Sequence, residues 1–99
     1  MKATLLLRRR ERLRPDTFAE VVVWRLARRI PASEHGYKYR PALIDRLECV
    51  LRYDNEAGKG DHRHRGTAEH PYRFTTIEQL LEDFDADIRS YLDEHPDPR

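Results

Sequence analysis

The chain is expected to be α+β: a small antiparallel β-meander of about four strands with a C-terminal α-helix packed on one face. Three observations predict it. Ile77, Leu80, Leu81, Phe84, Ile88, Tyr91 and Leu92 recur at helical spacing, giving one apolar stripe. The first half carries runs rich in β-branched and aromatic residues. Between these regions lies a glycine-punctuated, highly charged stretch from Gly58 to Gly66.

Thr4-Leu5-Leu6-Leu7, within residues 3–9, is a short strand, and Arg14-Pro15-Asp16-Thr17 has turn chemistry. Phe18 to Ile30 admits two readings. Thr17 and Glu20 imitate a capping box, and Phe18, Val22, Arg25 and Leu26 would share a helical face. Val21-Val22-Val23-Trp24 fits a pleated surface better, so strand is preferred, with Phe18, Glu20, Val22, Trp24 and Leu26 alternating along it and Trp24 in the core.

Residues 31–36 are a connection. Tyr37 to Ile44 and Leu47 to Tyr53 are extended, joined by a tight hairpin at Asp45-Arg46 that lacks the usual Asn-Gly or Asp-Gly pair. Pro41 cannot donate to a ladder and is expected at an edge or bulge. Thr75 with Glu78 gives the final helix a capping-box start, and Pro96 closes it. Its opposite face, with Glu82, Asp83, Asp85 and Asp87, is expected to be solvated.

Ninety-nine residues, 38% apolar and 37% charged, bound this to a single domain over 1–99, with its core over 3–93 and a frayed tail over 94–99. No apolar run reaches the length of a membrane span, and Leu5-Leu6-Leu7 is too short for a signal-peptide core. The expected location is cytoplasmic, with no membrane partner. A single cysteine, Cys49, excludes an internal disulfide and is expected to be packed.

The net charge of +1 conceals a gradient. Residues 1–30 carry nine Lys/Arg against three Asp/Glu, residues 31–75 eight against seven, and residues 76–99 two against eight. Either the basic front attracts a polyanion, or the two ends fold together and cancel.

The stretch Gly58-Lys59-Gly60-Asp61-His62-Arg63-His64-Arg65-Gly66 reads as a loop at the end of a strand. In an extended segment His62 and His64 point to one face, and imidazole suits base and acid roles near neutral pH. Asp61 would orient one ring. Lys59, Arg63 and Arg65 would hold a phosphate, and the glycines would let it approach the backbone. His35-Gly36-Tyr37-Lys38-Tyr39-Arg40 interleaves cations with tyrosines, as a single-stranded RNA surface does; the bland reading is one buried and one solvated face.

Asp61, His62 and His64 also make an incomplete metal set, with no second ligand pair at diagnostic spacing. Gly58-Lys59-Gly60 lacks the spacing and following Ser/Thr of a Walker loop. Ser33, Ser90 and Cys49 stand in contexts that give no support to a nucleophile scheme.

His35-Gly36-Tyr37-Lys38-Tyr39-Arg40, Tyr53-Asp54-Asn55-Glu56, Gly58-Lys59-Gly60-Asp61-His62-Arg63-His64 and Pro71-Tyr72-Arg73-Phe74 before an acidic helix together resemble the TumE toxin family. The resemblance covers nearly the whole chain and implies the toxin half of a bacterial toxin–antitoxin pair, with a TumA-like antitoxin as partner. Pro41 and Asp45-Arg46-Leu47 depart from the uninterrupted strand and glycine-containing turn expected there.

The loop chemistry adds RNA as a further partner. The leading expectation is a ribonuclease that needs no cofactor, with His62, His64 and Asp61 catalytic and Lys38, Arg40, Lys59, Arg63, Arg65 and Tyr53 binding substrate. A metal-dependent nuclease and a non-enzymatic RNA- or protein-binding module are the alternatives, and a homodimer is possible in each.

Overall fold

Proline's fixed φ at Pro15 and the short polar Asp16 turn the chain back in two residues, pairing β1 (Ala3–Arg14) with β2 (Thr17–Leu26). In the computed structural model, which describes residues 3–28, 35–56 and 58–97, this hairpin opens an antiparallel sheet of seven strands rather than four. The expected connection over 31–34 and the end of the expected frayed tail, 98–99, lie outside the described residues.

Residues 18–26 form a strand, as their β-branched content predicts, but with its faces exchanged. Thr17, Ala19, Val21 and Val23 are buried, while Phe18, Val22 and Trp24 lie half-buried on the other face. Three consecutive valines make both faces apolar, so alternation alone does not choose between them. Trp24 is therefore not a core residue; it pairs across the sheet with Lys38.

The strands β3 (Tyr37–Tyr39) and β4 (Ala42–Asp45) continue one another in a single register against β2, interrupted at Arg40-Pro41. Pro41 is at neither an edge nor a bulge. It is buried, with Arg40 N–H donating to Val22 O at 2.8 Å on one side and Tyr53 N–H to Pro41 O at 2.9 Å on the other. Having no N–H, it returns nothing to the neighbouring strand, and the ladder breaks there.

The next turn is Arg46-Leu47, one residue later than expected, before β5 (Glu48–Glu56). Both residues are left-handed, at φ 50° and 70°, as a turn of the type I′ family requires. Neither is glycine or asparagine, and each such residue costs about 1–2 kcal/mol. Leu47 is 95% exposed at the tip. Cys49, beside this turn, is exposed rather than packed, because the hairpin end projects past the core.

The glycine-rich stretch is not a loop. It is a turn at Gly58-Lys59 followed by β6 (Gly60–Arg65), which pairs with β5 and then with β7 (Ala68–Pro71). Gly58, Gly60 and Gly66 have φ of 85°, 76° and 59°, so they serve the turns at either end of β6.

Helix α1 (Ile77–Glu94) lays its predicted stripe on the sheet, with Leu80, Phe84 and Ile88 buried against Val21, Val23, Tyr39, Leu43, Leu51 and Tyr53. Its cap is Thr76, one residue after the expected Thr75, accepting from Gln79 N–H at 3.0 Å. Pro96 follows the C-cap His95. Arg14 donates to the carbonyls of His95 (2.5 Å) and Leu92 (3.1 Å), supplying the cation that the last turn itself lacks.

The acidic helix face is only partly solvated. Glu82 and Asp85 are exposed, but Asp87 is buried and faces the sheet. It accepts Tyr53 OH at 2.5 Å, Arg65 Nη2 at 3.2 Å and the Arg63 guanidinium. Asp83 accepts Tyr72 OH at 2.5 Å, and Asp45 on the sheet accepts Tyr91 OH and Thr17 Oγ1. Tyrosine–carboxylate bonds thus fasten the helix along its length.

Replacing Arg46 with Asn and Leu47 with Gly is expected to stabilise the protein by about 1 kcal/mol, read from urea midpoints, by relieving the left-handed strain. A lower midpoint would contradict the turn geometry. Asp87→Ala leaves Tyr53 and two guanidiniums without their shared acceptor and is expected to cost about 3 kcal/mol or more.

Burial, then the carboxylate partner, pushes the phenols of Tyr39, Tyr53 and Tyr72 above their usual range and that of Tyr91 up to about 12. The folded state therefore favours the protonated phenols. Their contribution is intact below pH 10.0, the ordinary tyrosine value, and is lost as pH rises from there toward the folded values. Urea midpoints that stay level from pH 9 to about 11 would contradict this linkage.

Candidate functional site

Side chains alternate along a strand, so β6 sends its residues to opposite faces of the sheet. Asp61, Arg63 and Arg65 point to the helix side, and His62 and His64 to the other. The predicted pairing of the two histidines on one face holds; the predicted triad with Asp61 is not brought together.

On the helix side, Asp61 Oδ2 lies 2.7 Å from His35 Nε2 and 2.9 Å from Tyr39 OH. Tyr37 N–H donates to His35 Nδ1 at 3.1 Å, which places the ring proton on Nε2, toward Asp61. Phe74 packs against this histidine, tilted by 31°, at 4.0 Å between ring centroids. Both His35 nitrogens are engaged, and the cluster pins the start of β3 against β6. Arg63 and Arg65 are held by Asp87, and Tyr53 is 1% exposed with its hydroxyl on the same carboxylate. These groups act between sheet and helix.

Across the opposite face runs a row of directly paired residues: Arg10, Glu20, Ala42, Arg52, His64 and Glu69. Asp54 stands beside this row, opposite His62. The two imidazole centroids are 6.5 Å apart. His62 Nδ1 lies 3.1 Å from Gly60 O, which can only accept, so Nδ1 carries the proton and Nε2 is the reactive nitrogen. That Nε2 faces Glu69 Oε1 at 3.5 Å.

His64 Nε2 lies 3.2 Å from Arg52 Nη2 and 3.4 Å from Asp54 Oδ1, while its Nδ1 faces Glu69 Oε2 at 3.7 Å. Arg52 Nε is 2.9 Å from Asp54 Oδ2 but off the line of a hydrogen bond, so that pair is electrostatic. The histidines, Asp54 and Arg52 are partly shielded from water, and Glu69 is more open.

Arg52, Asp54 and Glu69 are absent from the predicted site. A glycine-containing turn between 48–56 and 60–65 is the signal that pairs those runs and sets the histidines opposite Arg52 and Asp54. Among the described residues no group of three or more His, Cys, Asp or Glu side chains is placed to hold a metal ion.

The cations of the same face extend the site. Lys38 donates from Nζ to Asn55 O at 2.5 Å, and Arg40 is exposed beside it. Arg8 and Arg12 on β1 are exposed, and Arg10 lies 4.3 Å over the Phe18 ring and 3.6 Å from Glu20. Lys59 stands exposed at the β5–β6 turn. Among the described residues of the basic front, Arg8, Arg10 and Arg12 meet solvent on the side the helix leaves uncovered, and Arg14 reaches the helix C-terminus.

A family model described as Toxin TumE matches residues 3–92. Searches of curated proteins and of solved structures give no match. No helix among the described residues is long and apolar enough to cross a membrane. With nine-tenths of the sequence matched, the chain belongs to the TumE toxin family, the toxin component of a toxin–antitoxin module with a cognate antitoxin as its partner.

Proposed function

We propose that this toxin acts on RNA, as a ribonuclease that needs no metal, through the uncovered sheet face. The observation that carries this reading is the His62–His64 pair, side by side with Arg52 and bordered by Lys38 and Arg40. His62 Nε2, with its ring proton committed to Gly60 O, is the base that takes the proton from a 2′-hydroxyl. The 2′-oxygen attacks phosphorus and the bond to the 5′-oxygen breaks. His64, whose Nε2 accepts from the Arg52 guanidinium, gives that leaving oxygen the proton on its Nδ1, so the products are a 2′,3′-cyclic phosphate and a 5′-hydroxyl.

Arg52, held by Asp54, neutralises charge on the phosphoryl oxygens, and Lys38 and Arg40 hold the flanking strand. Glu69 faces both rings, at 3.5 Å from His62 Nε2 and 3.7 Å from His64 Nδ1. Arg63, Arg65 and Tyr53 then serve by fixing the sheet to the helix, and Asp61 by fixing β6 to His35 and Tyr39, rather than by touching RNA.

Purified protein is expected to cleave RNA in EDTA, leaving cyclic-phosphate ends. His62→Ala and His64→Ala are each expected to lower the rate by about 100-fold or more while urea midpoints stay near wild type. Full activity in both variants would overturn the assignment. Cleavage lost in EDTA and restored by a divalent ion would replace it with metal-assisted hydrolysis.

A further inference from the structure

The uncovered face holds a second feature that the histidine chemistry does not use. A hollow of about 240 Å³ opens between β2 and the β3–β4 strand, lined by Glu20, Val22, Trp24, Lys38, Arg40 and Ala42 among others. Val22 and Ala42 make an apolar floor. Trp24, half-buried and outside the core, lines one end, and Glu20 lines the other.

An aromatic residue of this size stands on the solvent side of the sheet, opposite Leu5 on one neighbouring strand and Lys38 on the other. It forms no part of the helix-side cluster that holds the protein together. The hollow lies across β5 from His62, between two and three strand spacings or about 12 Å away, and the Lys38 ammonium on Asn55 O bridges part of the interval.

We infer that this hollow takes one unpaired nucleobase, so that the toxin's substrate is single-stranded RNA gripped next to the phosphate at His62 and His64. This rests on RNA being the ligand of the face. A base stacked on Trp24 must be free of a duplex partner, because base pairing and neighbouring stacks would keep its face covered. Lys38 and Arg40 meet the phosphates on the path from the hollow to the histidines. Glu20, an acceptor that Arg10 holds in place, favours a base bearing an exocyclic amino group.

Trp24 is the chain's only tryptophan, which makes the inference directly readable. His62→Ala protein is titrated with a single-stranded RNA of about ten nucleotides and with the same strand annealed to its complement, following indole emission. Saturable quenching by the single strand and little by the duplex is expected. In the same His62→Ala background, Trp24→Ala is expected to weaken single-strand binding, read from the anisotropy of an end-labelled strand, about ten- to hundred-fold. Trp24→Phe is expected to recover much of the loss.

Absence of quenching, together with wild-type affinity in Trp24→Ala, would overturn the hollow even if RNA is cleaved. Quenching in a protein that never cleaves RNA would sustain the hollow while removing the ribonuclease reading. Quenching by the purified antitoxin but not by RNA would overturn it in favour of a protein-docking face.

Discussion

The pairing of β5 with β6 is the constraint on which the rest depends. With Arg52 opposite His64 and Asp54 opposite His62, every residue from Asp61 to Arg65 is assigned a face. A slip of one residue would turn the histidines toward the helix and the arginines toward water. Gly58 and Gly60, both at positive φ, shape the turn that sets this register. The burial of Asp87 enforces it, since only the native register delivers Arg63 and Arg65 to that carboxylate.

The same alternation separates two kinds of electrostatics. On the helix side, charges are paired and shielded: Asp87 with two guanidiniums and a phenol, Asp61 with His35 and Tyr39. Such networks are strongly destabilised when one partner is removed, which suits a structural role. On the open side, Arg52 and Asp54 pair at 2.9 Å, but the carboxylate contacts of the imidazoles are longer, at 3.4–3.7 Å. A chain with a net charge of +1 thereby presents a basic surface without giving up its acidic helix.

Much of this was legible in the sequence, and the gaps have physical causes. The helix followed from its apolar stripe, and the shared face of His62 and His64 from period-two geometry. Asp61 falls on the face away from His62 and His64 because neighbours in sequence are on opposite faces in a strand. Asp87 looked like solvated charge because sequence does not reveal a buried tyrosine and two arginines converging on it. The faces of β2 were ambiguous because Val21, Val22 and Val23 are interchangeable in pattern. Arg46-Leu47 carries no turn signature at all, since its left-handed geometry is imposed by the strands on either side.

The most direct test of the division into two faces is an NMR titration of the five histidine rings with single-stranded RNA blocked at its 2′-hydroxyls. The C–H resonances of His62 and His64 are predicted to shift together and saturate, while those of His35, locked between Tyr37 N–H and Asp61, stay in place. Shifts at His35 with none at His62 and His64 would contradict the account.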